Sequence, residues 1–180
     1  MSDMPKYIEE YLPQIKYCIE LTSIKCVETA LAINSQSEIG LYDGKNRSVT
    51  IPEEMFYQGE FIFHTHPPVY CPENYFYRNI IANSFGVLFS NRDIVAGYNK
   101  KVKRMAVGML NNKRVVIRSM DNITYDSFRD YDDAYMHFYD NLRLYEKTPT
   151  EAMKSLFYSS IEDDKEVFDR LTPITYEYQW

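Results

Sequence analysis

Histidine, cysteine, glycine and tryptophan are all scarce in this 180-residue chain, at three, three, six and one. Cys18, Cys26 and Cys71 are few, odd in number and widely spaced, which excludes a disulfide scaffold and a CxxC zinc ribbon. They read as thiols of a reducing compartment. No apolar run approaches the ~18 residues of a membrane span. The opening MSDMPKYIEE has neither a positive n-region nor an apolar h-region, so no signal peptide and a cytoplasmic location are expected. A basic excess is also missing. The net charge is -6, with 20 Lys and Arg against 26 Asp and Glu. That argues against a nucleic-acid binder, whose affinity rests on neutralising phosphates. The one basic cluster, Lys100 to Arg104, reads as the solvated end of an element. Internal repeats and low-complexity tracts are absent.

What is present is ordinary for a globular protein: 45% hydrophobic and 26% charged residues. The length suits one domain with a small appendage. The Tyr- and Asn-rich, Gly-poor usage suits an AT-rich genome, a viral one included. Residues 6–12 read as a helical turn ended by Pro13. Ile15, Tyr17, Ile19 and Leu21 alternate with polar residues, which predicts a strand. A helix is expected over 23–33, capped by Thr22 or Ser23. Residues 38–42 and 48–51 read as strands around the hairpin signal Asp43-Gly44. Residues 60–64 (EFIFH) read as a short apolar strand, 75–83 as a helix and 85–89 as a buried strand. A helix follows from Ser90 to about Tyr98, then a hairpin over 104–110 and 114–120.

After Met120 the composition shifts. Phe128, Tyr131, Tyr135, Phe138, Leu142 and Tyr145 recur at helical spacing. Thr148-Pro149-Thr150-Glu151 opens a further helix with Thr148 as its cap, and another helix is expected over 164–171. The division is therefore a mixed α/β domain over 1–120, with an insertion at about 67–89, and a helical extension over 121–180 packed on or beside it.

Two of the three histidines stand two residues apart, in His64-Thr65-His66-Pro67 after the EFIF run. In extended backbone both side chains point to one face. Two imidazoles on one face can share a divalent ion, and a catalytic zinc needs a third protein ligand and an open position. Asp93, at a helix start with Ser90 three residues before it, supplies that ligand better than His137 in the helical tail. Asp133 and His137 read as a surface pair. Nothing argues for Cys71 as a nucleophile beyond its nearness to the histidines. A general base must stand within hydrogen-bond reach of the attacking water, and Glu38, beside Gly40, is the candidate.

An upstream Glu with a nearby Gly (Glu38, Gly40), then His-x-His-Pro (His64, His66, Pro67) at a strand end, then Ser-x-x-Asp (Ser90, Asp93) resembles the JAMM (MPN+, JAB-domain) metalloproteases over residues 14–120. The resemblance implies an α/β fold of the JAMM, cytidine-deaminase-like kind, a mixed curved sheet flanked by helices. It implies a zinc hydrolase cleaving isopeptide or peptide bonds, commonly next to ubiquitin or a ubiquitin-like protein. His64, His66 and Asp93 would bind Zn2+, Glu38 would move the proton, and Ser90 would donate to the developing oxyanion. Residues 67–92 lie between His66 and Asp93, a longer interval than the family usually shows. The added loop-closure cost is under about 1 kcal/mol, against on the order of 10 kcal/mol that zinc binding can supply. The competing expectation is a JAMM-like scaffold without catalysis, with a protein partner held by the 121–180 helices. A third is a zinc hydrolase of small-molecule amides.

Overall fold

The computed structural model describes residues 4–73 and 75–180. The order of elements is α1 (Lys6–Glu10), α2 (Leu12–Lys25), β1 (Thr29–Ile33), β2 (Ile39–Asp43), α3 (Glu53–Phe56), β3 (Phe61–Thr65), α4 (Tyr75–Phe85), α5 (Asn91–Asn99), β4 (Arg104–Asn111), β5 (Arg114–Asp121), α6 (Tyr125–Lys147), α7 (Glu151–Ser160), α8 (Glu162–Leu171) and β6 (Ile174–Gln179). One six-stranded mixed sheet, ordered β2-β1-β3-β4-β5-β6, is flanked by helices on both faces. The pair β3–β4 is parallel and the other neighbours are antiparallel.

Side chains alternate across a strand, so each central strand feeds two cores. Phe61 and Phe63 of β3, with Ala106 and Ile117, pack under α1 and α2. Ile62, Val107 and Val116 face the larger core built with α4 to α8. His64 has the parity of Ile62 and therefore opens towards α5 and α6. The apolar stripe of α6 points the same way: Tyr131, Phe138 and Leu142 are fully buried in that core.

Several local expectations are corrected. Pro13 does not end a helix; it sits in the first turn of α2, where its missing N–H costs nothing. Residues 15–21 are helical, with Ile15, Cys18, Ile19 and Thr22 as the buried stripe and Tyr17 exposed. Residues 29–33, expected as helix, form β1, buried on both faces. Residues 48–51 are not a strand; only an isolated bridge joins Lys45 and Ser48. Residues 87–89 are buried but irregular, and Phe85, expected to open a strand, ends α4. Thr150, not Thr148, caps α7. The final residues form β6 on β5, so the 121–180 segment completes the sheet as well as covering it.

The cysteine reading is corrected too. Cys26 and Cys71 form a disulfide, and Cys18 is the free, buried cysteine. The bond ties the entry to β1 to the loop before α4. Tyr70 adds a second tie there, donating its hydroxyl proton to the Ser23 carbonyl at 2.6 Å. The described residues of the long interval between His66 and Asp93 thus form a stapled segment carrying a helix. Its exit needs Gly86, at φ +77°, where a Cβ would lie 2.7 Å from Val116. Fully buried Arg118 then holds the segment in place, donating to the Phe85 carbonyl (3.1 and 2.9 Å), the Thr172 carbonyl (2.9 Å) and the Asp169 carboxylate (2.9 Å).

Candidate metal centre

His64 lies in β3, and the His66 N–H donates to the Gly108 carbonyl at 3.0 Å, extending the pairing with β4. Both residues are therefore held extended, and their rings meet on one face. The two Nε2 atoms are 3.2 Å apart. Asp93 arrives from α5. Ser90 caps that helix, its Oγ accepting from the Asp93 N–H at 3.2 Å, while the Asp93 carboxylate accepts from the Ser90 N–H at 2.7 Å. This reciprocal box fixes the carboxylate. Its Oδ2 stands 3.2 Å from His64 Nε2 and 3.6 Å from His66 Nε2.

Those three distances can be tested against a metal. Four ligands at about 2.0–2.1 Å in a tetrahedron stand about 3.3–3.4 Å from one another. The His64, His66 and Asp93 donors form such a face, and together they can hold a metal ion. Burial by itself would push the Asp93 carboxyl up, but His64 and then His66 hold it well below the usual carboxylate range. It is therefore an anion, as a ligand must be.

Glu38 is not part of this centre. Its exposed side chain accepts from Asn34 Nδ2 at 2.5 Å. Asn34 follows the end of β1 that pairs with Phe61, about 13 Å of strand from the position facing His64. The carboxylate brought to the centre is Glu28. The β1–β3 register ends on the pair Ala30 and His64, and continuing it two residues past that pair sets Glu28 across from His66, which acts on its carboxyl. Directly opposed residues share a face. Glu28 lines the same cleft as His64, His66, Ser90 and Asp93. Its backbone bonds go the other way, to Gly44 and Lys45. Burial pushes its carboxyl up to about 7, against the opposing effect of His66.

Buried hydroxyls support this end of the strands. Thr65 Oγ1 accepts from the Thr29 N–H at 2.9 Å, and Thr29 Oγ1 donates to the Cys18 carbonyl at 3.0 Å. On the far side, Tyr131 donates to the Phe89 carbonyl at 2.6 Å, anchoring the segment that delivers Ser90. His137 pairs with Asp164 at 2.7 Å, away from the centre, and not with Asp133.

No family model, no curated protein and no solved structure matches this chain. The case for function therefore rests on the residues themselves. Glu28 was hidden because its strand reads as helix. The run Ala30-Leu31-Ala32-Ile33, unbroken by polar residues, was the available signal for a strand buried on both faces. The centre opens into a cleft of about 830 Å³ between the β3 end, α4, α5 and α6. That is ample for a ligand or a short stretch of chain. Among the described residues, no helix is long and apolar enough to cross a membrane.

Proposed function

We propose that this protein is a zinc-dependent hydrolase of peptide or isopeptide bonds, with a JAMM-like domain acting on a protein substrate of the ubiquitin-like conjugate kind. The observation that carries the reading is the His64, His66 and Asp93 donor face, with edges of 3.2, 3.2 and 3.6 Å, in one cleft with Glu28. Two imidazoles and one carboxylate, with an open side, are the donor set of a hydrolytic zinc site.

His64, His66 and Asp93 would hold the ion. When bound, zinc would lower the pKa of a water towards ~7 and polarise the scissile carbonyl. Glu28 takes the proton of the attacking water and delivers it to the leaving amine. In the metal-free site burial raises this carboxyl to about 7, and a bound cation would draw it back towards the anionic form that accepts a proton. Ser90 uses its oxygen to cap α5 and keeps its hydroxyl proton for the developing oxyanion. A positioned donor of that kind contributes about 3 kcal/mol.

The test combines zinc per chain with hydrolysis of a ubiquitin-like isopeptide conjugate. Wild type should carry about one zinc per chain, and Asp93→Ala much less. Glu28→Gln should keep the zinc and lose at least ~100-fold in rate, while Glu38→Gln keeps both. Folded wild type without zinc would sink the proposal. Full activity in Glu28→Gln would remove Glu28 from the mechanism.

A further inference from the structure

The lining of the cleft around the centre carries more cations than carboxylates, on a chain of net charge -6, with Glu73 and Glu146 bonded to lining residues at its rim. Arg47, Arg78, Arg92 and Arg143 line it, and its carboxylates are Glu28 and Asp93. Arg47 meets Glu73 only in an exposed pair at 3.4 Å. Arg78 donates to the backbone carbonyls of Cys71 and Pro72, at 3.2 Å each. Arg143 lies over the Tyr139 ring at 4.7 Å. Among the described residues, Arg78, Arg92 and Arg143 have no carboxylate partner. Elsewhere on the surface Arg114 pairs with Glu177, Lys103 with Glu60 and Lys100 with Glu53, while Lys147, Lys154, Lys165 and Arg170 stand in no ion pair among the described residues. What sets the cleft apart is four arginines gathered in one concavity. Cations left free in a concave site attract a ligand of opposite sign, because the low-dielectric walls focus the field.

The arrangement of the charges narrows the ligand. Arg47 and Arg78 neighbour each other beside Glu28. Arg92 neighbours Tyr135, and Arg143 stands two turns further along α6, about 12 Å away. One phosphate or carboxylate cannot reach all of them. A chain with acidic side chains at several positions can. Tyr135 and Tyr139 lie between the α6-side arginines, stacked with centroids 5.9 Å apart, as an apolar shelf for that chain.

We propose that the cleft binds an acidic peptide segment, with carboxylates at successive positions engaging Arg92 and Arg143 along α6 and Arg78 beside Glu28. The proposal deepens the hydrolase reading, since it names the sequence flanking the bond to be cut. The probe is a fluorescent decapeptide with glutamates at alternate positions, beside its glutamine counterpart. Both are titrated by anisotropy against the full chain as purified, with zinc content measured on the same sample. The glutamate peptide should bind about tenfold tighter than the glutamine one and weaken steeply with added salt. The double variant R92Q/R143Q, at exposed positions and checked for an unchanged melting temperature, should lose about tenfold for the glutamate peptide and nothing for the glutamine peptide. Equal binding of the two peptides, or no effect of the double variant, overturns the proposal. So does displacement by inorganic phosphate at a single Arg78-dependent site. Charge-selective binding in a sample without zinc would sink the hydrolase reading and leave this one standing. Zinc without charge selectivity would do the reverse.

Discussion

Cys26 is bonded to Cys71 across 45 residues, two positions before the Glu28 carboxylate that faces the metal centre. Closing a loop of that size restricts the unfolded chain, a gain of about 2–4 kcal/mol. Cys71→Ser should lower the unfolding free energy by that amount. Reductant should lower the melting temperature of wild type and leave Cys71→Ser unmoved. Identical melting with and without reductant would mean that the bond contributes nothing. Such bonds persist mainly in oxidising compartments, which sets the disulfide against the cytoplasmic location expected from cysteine scarcity.

Asp93 has two duties that substitution can separate. Its carboxylate accepts from the Ser90 N–H, and it offers an oxygen to the metal. Asp93→Asn keeps an acceptor for the cap but loses the anion. It should fold like wild type by circular dichroism and bind zinc roughly 100-fold more weakly or worse. Asp93→Ala should in addition lose about 1 kcal/mol from the missing cap. Equal zinc affinity in Asp93→Asn would take the third ligand away from this residue.

The Glu28 carboxyl, raised to about 7 in the folded protein from an ordinary 4.5, links stability to pH. A raised acid favours its protonated form in the fold. Its stabilising contribution is full below about 4.5 and is lost as pH rises to about 7. In metal-free protein, Glu28→Gln should therefore melt higher than wild type at pH 8 and almost equally at pH 4. A constant difference between the two pH values would mean that Glu28 is not buried as an acid.

Arg118 holds three backbone or carboxylate partners from the ends of α4 and α8 while fully buried. Arg118→Met leaves the Phe85 and Thr172 carbonyls without donors. A loss of about 3–5 kcal/mol is expected on denaturant unfolding. Because the Phe85 end leads into the segment that delivers Ser90 and Asp93, zinc affinity should fall in the same variant. Unchanged stability would show that water replaces the guanidinium there.

Much of the fold is legible in the chain. The hairpin over 104–120, the α6 stripe and the Ser90 cap all follow from local patterns, because each is set by neighbours within a few residues. The failures have specific causes. Ile15 and Ile19 satisfy both a period of two and a period of 3.6. The helix is revealed only by which of Tyr17 and Cys18 is buried. Thr29–Ile33 is rich in Ala and Leu, good helix formers, yet lies between two other strands, where burial on both faces erases alternation. The pairing of β6 with β5 joins residues about 60 apart, which no local signal reports.

By itself the sequence determined the two histidines on one face, the helix start at Ser90 with Asp93 three residues on, and the acidic overall charge. Each depends on spacing or composition alone. The tertiary structure decided that a 26-residue interval brings Asp93 within 3.2 Å of His64, that Glu28 and not Glu38 shares their cleft, and that Cys26 meets Cys71. Those outcomes depend on strand register and on which face a stapled segment packs against. Both are set by contacts between residues distant in the chain, and the burial of the whole core selects them together.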